Sequence, residues 1–138
     1  MVTQVHQLEF ETLHAYGTRK TSIELDVTLR LGGRTVSFPA QIDTGATFCV
    51  FERGYAETLG LTVESGEPIR FSTAIGSFHA YGHSVILGTL RYSFDVTVYF
   101  APAEGFKRNV LGRRGWLDHV RLALVDYKGE LYLSRYED

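Results

Sequence analysis

The chain has 138 residues, 44% of them hydrophobic and 22% charged, which is typical of one globular domain with a buried core. Its 14 Lys and Arg residues nearly balance its 16 Asp and Glu residues, so charge gives no case for nucleic acid or an anionic membrane as the main partner. Cys49 is the single cysteine, which excludes an intramolecular disulfide.

Residues 1–10 lack the basic start and apolar run of a signal peptide. No apolar stretch approaches the roughly 20 residues that cross a bilayer. We therefore expect the protein to be cytoplasmic. An unpaired cysteine is normal in that compartment.

Alternating apolar runs rich in strand-forming residues follow one another along the chain, separated by glycine turns. The run at 22–31 places five apolar side chains on one face, and Gly32 and Gly33 then suit a two-residue hairpin turn. The predicted strands are 5–13, 22–31, 35–42, 48–51, 69–74, 78–87, 91–101, 121–127 and 130–136.

Two short helices are predicted, at 53–59 before Gly60 and at 113–119. Linkers, tandem repeats and strand–helix alternation are not found in the sequence. We predict one mainly antiparallel β domain over 1–138, in which residues 1–20 form an N-terminal extension with the first strand.

The segment 40–51 (AQIDTGATFCVF) places a carboxylate in a loop between two apolar strands. Such a loop would hold Asp43 rigidly. Gly45 has no Cβ and lets a substrate or backbone approach closely. Thr44 supplies a hydroxyl that orients its neighbours, and Ala46 keeps the loop small. The alternative is that Asp43 only caps a turn, a common role of Asp before Thr-Gly.

This segment resembles the active-site loop of retropepsin-like aspartic proteases, which reads Asp-Thr/Ser-Gly-Ala/Ser in a hydrophobic frame. Residues 72–87 lie where that family carries its flap hairpin, and 109–113 (NVLGR) are similar to its hydrophobic-hydrophobic-Gly-Arg element. The resemblance covers about residues 22–135. It implies a closed β-barrel with one or two short helices and a flap.

The resemblance implies roles for individual residues. Asp43, Thr44 and Gly45 would form the catalytic loop, and Gly112 and Arg113 would support it from beneath. A solvated arginine in a basic run with Lys107, Arg108 and Arg114 is the alternative for Arg113. The residues expected to contact substrate are Ala46, Ala74, Ile75, Gly76, Ser77, Phe78 and Leu111.

The chain departs from the viral members of the family at Thr47. Those members carry an acidic residue there, which pairs with the arginine of the Gly-Arg element. The flap also has fewer glycines. In these respects the sequence is closer to the cellular and bacterial branch.

One Asp-Thr-Gly implies two chains. Hydrolysis by this chemistry needs one ionised carboxylate to take a proton from water and one protonated carboxylate to donate to the carbonyl oxygen. Two such groups placed close together share a proton. A twofold axis beside Asp43 would supply the second, and the resemblance implies the same homodimer, with Thr44 of each chain bonding across the axis.

Three other residues are weighed for chemistry. His79 and His83 would lie about 13 Å apart on a strand, too far to share one metal ion. Cys49 lacks a thiol-protease signature and is expected to be a buried hydrophobe. We therefore expect no metal and no cofactor.

The leading hypothesis is a homodimeric aspartic endopeptidase that cleaves peptides or proteins in extended conformation. A second is a catalytically silent dimerisation or peptide-binding module of the same fold. A third is a small β-barrel that binds an apolar ligand, in which Asp43 is a turn residue and no second chain is needed.

Overall fold

The computed structural model describes residues 4–74, 76–103 and 105–136. These residues form ten strands, one α-helix and three 3₁₀ turns, numbered here in chain order. The strands are β1 (Thr12–Ala15), β2 (Glu24–Leu31), β3 (Arg34–Ile42), β4 (Val50–Phe51), β5 (Glu67–Thr73), β6 (Gly76–Thr89), β7 (Tyr92–Phe100), β8 (Val110–Leu111), β9 (Val120–Val125) and β10 (Glu130–Arg135). The helix is α1 (Arg53–Thr58), and the 3₁₀ turns are Val63–Ser65, Leu117–His119 and Asp126–Lys128.

Alternation along β2 and β7 builds the core. Leu25, Val27 and Leu29 of β2 are buried, whereas Asp26 and Arg30, at alternate positions of the same strand, are exposed. The same spacing buries five residues of β7, which are Tyr92, Phe94, Val96, Val98 and Phe100. Because successive side chains of a strand point to opposite faces, this pattern is what a half-buried strand requires. The two strands predicted from these runs are confirmed.

The main sheet closes on itself. Its seven strands follow the order β2-β3-β8-β4-β7-β6-β5, and β2 pairs in addition with β6. That extra pairing, from Val27↔Thr89 to Arg30↔Ile86, joins the first strand of the order to the sixth. The strands therefore form a ring with β5 attached outside it, which confirms the predicted mainly β, retropepsin-like fold.

Strand β8 occupies an unusual place in this ring. It lies between β3 and β4, although it comes much later in the chain. It runs parallel to β3, with Ile42 beside Leu111, and antiparallel to β4, with Val50 beside Val110. The segment 43–49 joins β3 to β4 and must therefore pass over the end of β8. This topology fixes the loop that carries Asp43.

A smaller sheet joins the two ends of the described chain, in the order β1-β10-β9. The predicted strand at 5–13 is wrong for most of its length, because only Thr12–Ala15 pairs with β10. Residues 4–11 alternate loosely and form no ladder, and Val5 and Leu8 are exposed. The predicted C-terminal hairpin is confirmed by β9 and β10.

The flap prediction is confirmed as a hairpin but not at its tip. β5 and β6 pair up to Thr73↔Gly76, so the paired strands extend into the turn predicted at 75–77. Ile75 lies outside the described residues. Gly76 and Ser77, expected in the turn, therefore belong to β6.

The two helix predictions had different outcomes. Helix α1 is confirmed and is followed by Gly60, whose φ of +78° ends it. The helix predicted at 113–119 is reduced to the turn Leu117–His119, because Gly115 adopts a φ of +102° that a helix cannot contain. Across the described residues, no helix has the length and apolar character needed to span a membrane.

Candidate active site

The segment 43–49, here called the active-site loop, is held from below by the chain that leaves β8. The backbone N–H of Asp43 donates to the Leu111 carbonyl at 3.0 Å. In return, the N–H groups of Arg113 and Arg114 donate to the carbonyls of Ala46 and Thr47, at 2.9 and 2.8 Å. Backbone bonds thus fix the start and the middle of the loop, and the backbone position of Asp43 does not depend on flexible side chains.

Gly112 sits where the two backbones come closest. A Cβ built on Gly112 would lie 2.3 Å from the Phe48 carbonyl oxygen and 2.9 Å from that of Ala46. Both neighbours are backbone atoms of the active-site loop, so no side chain can turn aside to make room. The loop can rest on this segment because the residue lacks a Cβ. This is the packing that the resemblance predicted for the Gly-Arg element.

The Asp43 carboxylate faces solvent from within this frame, with its side chain 32% exposed. Its Oδ1 accepts a hydrogen bond from the Gly45 N–H at 2.9 Å. This is the turn-capping role considered as an alternative, and it also fixes the direction of the carboxylate. Its Oδ2 lies 3.8 Å from an Arg108 nitrogen, close enough for attraction but too far for a hydrogen bond.

Thr44 and Gly45 are exposed beside Asp43. Within the described residues, the Thr44 hydroxyl makes no hydrogen bond. A Cβ on Gly45 would lie 3.3 Å from Asp43 Oδ1, closer than most such contacts. The Asp-Thr-Gly surface is therefore an outward-facing edge of the chain.

A cleft of about 340 Å³ opens over the active-site loop. This size is within the range of sites that bind small molecules or peptide side chains. One wall is the active-site loop, the opposite wall is the flap hairpin β5–β6, and the segment 106–110 closes one end. The lining residues are Asp43, Gly45, Ala46, Thr47, Phe48, Val50, Arg70, Phe71, Ser72, Phe78, Phe106, Arg108 and Val110.

Of the predicted substrate-contacting residues, Ala46 and Phe78 line this cleft. Leu111 does not, since it is only 1% exposed and lies in the core, whereas its neighbour Val110 borders the cleft. The prediction for Leu111 is therefore corrected to Val110. The reason is the period of two along a strand, which sends adjacent residues of β8 to opposite faces.

The remaining predicted flap residues that the structure describes lie in a cavity beside the Asp43 cleft. Ala74, Gly76 and Ser77 line a neighbouring, mostly apolar cavity of about 600 Å³. Phe78, Phe106 and Arg108 border both this cavity and the Asp43 cleft. Ile75 is outside the described residues.

Arg113 supports the loop differently from the resemblance. Its backbone N–H bonds to Ala46, but its side chain is exposed, and within the described residues its guanidinium has no ion-pair or hydrogen-bond partner. Thr47, which stands at the acidic position of the viral members, is exposed as well. The loop is thus supported by the backbone of Arg113.

Cys49, the last residue of the active-site loop, and Trp116 are buried in the core and do not line the cleft. Burial raises the pKa of the Cys49 thiol to about 12, and the Gly112 N–H donates to its Sγ at 3.3 Å. A thiol in that state is not a nucleophile near neutral pH. The Trp116 ring is fully buried, and its Nε1 donates to Thr89 Oγ1 at 3.0 Å.

The histidines considered for a metal are also accounted for. His79 is exposed, and His83 lies on the same strand with its Nε2 2.9 Å from the Val63 carbonyl oxygen. Over the described part of the chain, no three His, Cys, Asp or Glu side chains converge on a common point.

Sequence reasoning missed two cationic residues of the cleft. Arg70 on β5 and Arg108 in the segment before β8 both line it, yet Arg108 was weighed only as part of a solvated basic run. The available signal was position: Arg108 directly precedes the NVLG element that packs under the loop. Arg70 precedes Phe71 in a predicted flap strand.

A family model described as "Aspartyl protease", of the retropepsin-like type, matches residues 27–115. The matched span holds the active-site loop, the flap hairpin, the cleft arginines and the Gly-Arg element. The chain therefore belongs to the retropepsin-like aspartyl protease family. This membership supports a protease-like function in general terms. A search of curated proteins gave no match.

Proposed function

We propose that two copies of the chain together form an aspartic endopeptidase, in which both Asp43 carboxylates activate one water molecule. The observation that carries this proposal is the setting of Asp43. Its carboxylate is held by backbone contacts at an open cleft and is the one carboxylate lining that cleft among the described residues. Acid–base hydrolysis needs two, so the second comes from a partner.

The chemistry then divides between the two carboxylates. The ionised one takes a proton from water as the water oxygen attacks the peptide carbonyl carbon, and the protonated one donates to the carbonyl oxygen. Collapse of the tetrahedral intermediate breaks the C–N bond, with a proton passing to the leaving amine. The two groups share one proton between them because both cannot be ionised at short range. This reaction needs no cofactor.

The substrate would lie extended between the active-site loop and the flap. An extended peptide offers backbone N–H and C=O groups to the flap strands, and its side chains alternate between opposite walls. The apolar part of the wall favours hydrophobic residues at the scissile bond. Closure of the flap would exclude water from the reacting atoms.

The test is digestion of a peptide library between about pH 4 and 7 by the wild type and by Asp43→Asn, with cleavage products read by mass spectrometry. We expect Asp43→Asn to lose at least about 100-fold in rate, because it removes the acid–base group. Asp95→Asn is the matched control. Asp95 is an exposed aspartate on β7, away from the cleft, and its loss should leave the rate unchanged.

Equal cleavage by wild type and Asp43→Asn would sink the catalytic assignment. A wild type that cleaves nothing across the library would leave the silent peptide-binding module as the better description of the same cleft.

A further inference from the structure

The cleft beside Asp43 combines an apolar wall with an excess of positive charge. Phe48 of the loop contacts Phe71 of β5, with ring centroids 6.0 Å apart. Phe71 then stacks on Phe78 at 5.8 Å, and Phe78 meets Phe106 at 5.2 Å. This aromatic row runs from the active-site loop through the flap to the segment before β8. It offers one continuous surface to an apolar side chain.

Two guanidinium groups flank that row. The Arg70 nitrogen donates to Ser77 Oγ at 3.1 Å, across the two flap strands, and pairs with no carboxylate of the described residues. Arg108 is 57% exposed, and the one carboxylate of the described residues within 4 Å of it is Asp43, at 3.8 Å. A guanidinium carries five N–H donors. Most donors of both arginines are therefore open to a ligand.

The charge balance of the lining is one-sided. Two arginines face one carboxylate in each chain. In the proposed dimer that carboxylate is committed to the catalytic pair, where it must bond to water and to its partner. Arg108, which is largely exposed, is then available to bind another anion. A carboxylate in the substrate supplies one and can be bound by two parallel N–H···O bonds.

We propose that the cleft selects peptides carrying a Glu or Asp side chain close to an apolar scissile residue, and that Arg108, assisted by Arg70, binds this side chain. The proposal rests on the proposed endopeptidase function for its role in cleavage, but the recognition itself depends only on the cleft. The aromatic row receives the apolar residue, and the arginines receive the acidic one.

The test uses matched synthetic peptides that differ only by Glu or Gln near an apolar site that the library shows to be cut, or near a Phe-Leu pair if none is cut. Cleavage rates are measured with wild type, Arg108→Gln and Arg70→Gln. Binding of the same fluorescent peptides is measured on Asp43→Asn and on Asp43→Asn with Arg108→Gln. Arg30→Gln, an exposed arginine of β2 outside the cleft, is the matched control for loss of charge.

We expect the Glu peptide to be preferred about tenfold over the Gln peptide, the scale of a charged hydrogen-bonded contact. Arg108→Gln should remove most of this preference, Arg70→Gln part of it, and Arg30→Gln none. The preference should shrink at high salt, because screening weakens exposed charge pairs. Arg108→Glu should turn the preference towards a Lys peptide, which a general loss of folding would not do.

The outcomes separate the two proposals. Cleavage and binding that do not distinguish Glu from Gln would overturn the selectivity and leave the endopeptidase intact. No cleavage, with Glu-selective binding that Arg108→Gln abolishes, would support the selectivity and overturn the endopeptidase. Neither cleavage nor binding of either peptide would overturn both.

Discussion

Gly112 lies where the backbone that follows β8 packs directly against the backbone of the active-site loop. The carbonyls of Ala46 and Phe48 occupy the space that any Cβ at this position would need. A hydroxyl, methyl or longer side chain would push the active-site loop away from β8. The absence of a side chain at Gly112 therefore determines the position of Asp43 relative to the cleft.

We predict that Gly112→Ala destabilises the protein by about 1–3 kcal/mol, the usual cost of forcing an extra group into a packed interior. Urea denaturation monitored by Trp116 fluorescence measures this. Peptide cleavage should fall as well, since the loop moves. Gly54→Ala is the matched control, because nothing lies within 4 Å of the added methyl and alanine favours the helix α1. An unchanged unfolding midpoint for Gly112→Ala would contradict this account.

At the residue scale, the sequence directed attention to Asp43, which lines the cleft, and to Gly112, which packs under the active-site loop, because each belongs to a recognisable local pattern. Leu111 was predicted to contact substrate but lies in the core, and the place of Arg108 in the cleft was not predicted. Which residue of a two-residue strand faces the cleft depends on register, and a shift by one reverses the faces. The approach of Arg108 to Asp43 depends on how two distant segments pack, and no spacing in the chain encodes that distance.

The helix α1 is tied to its surroundings by one arginine. Arg53 donates to both carboxylate oxygens of Glu64 in the following 3₁₀ turn, at 2.5 and 3.0 Å, and to the Pro102 carbonyl at 2.9 Å. These bonds join the helix to the segment that leads towards Phe106 and Arg108. The hydrogen bond from Arg53 lowers the pKa of the Glu64 carboxyl below its ordinary value.

We predict a pH-dependent contribution from this pair. Because the pKa of Glu64 is lower in the folded chain than in the unfolded chain, the pair stabilises the fold above the ordinary carboxyl pKa, and the effect is lost as pH falls through the lowered value. Glu64→Gln should therefore reduce the Tm at pH 7 but much less below about pH 4. Thermal melts across this range test it.

Glu24→Gln is the comparison for this prediction. The Glu24 carboxylate lies 3.9 Å from the Lys20 ammonium, and the Lys20 side chain is far more exposed than that of Arg53. Its melts should hardly change at either pH. A Glu64→Gln loss of equal size at pH 7 and in acid would point to packing and not to charge.

Elements with a strong period were predictable, whereas their ends were not. The full alternation of β2 and β7 identified both strands. The flap tip was misplaced because the paired register continues to Thr73↔Gly76, and cross-strand hydrogen bonds decide where a hairpin turns. The helix expected at 113–119 failed because Gly115 takes a left-handed backbone conformation, which sequence composition does not reveal.

At the scale of the whole molecule, the proposed mechanism requires a second chain to supply one of the two catalytic carboxylates. Thr44 and Gly45 are exposed next to Asp43, so a second copy can approach this edge without unfolding the first. The rate should then depend on which chains meet.

We predict that Asp43→Asn chains inhibit wild-type chains by forming inactive heterodimers with them. When Asp43→Asn chains are added to an equal amount of wild type and allowed to exchange, about half of the wild-type chains should pair with inactive partners, and the cleavage rate should fall to about half. A ninefold excess should reduce it to roughly a tenth. The measurement is cleavage rate against mixing ratio, with Asp95→Asn chains as the active control. A rate that ignores added Asp43→Asn would mean that one chain suffices.

The insertion of β8 between β3 and β4 also sets an order of events during synthesis. β3, the active-site loop and β4 leave the ribosome before β8, the strand that must lie between β3 and β4. Until Val110 and Leu111 have been synthesised, the Asp43 N–H lacks the Leu111 carbonyl that it bonds in the folded chain, and the active-site loop lacks the segment that supports it. Contacts so distant in sequence form late in folding. In the proposed endopeptidase, a nascent chain would therefore be unable to hydrolyse its neighbours, since its active-site loop is completed only after most of the barrel has been made.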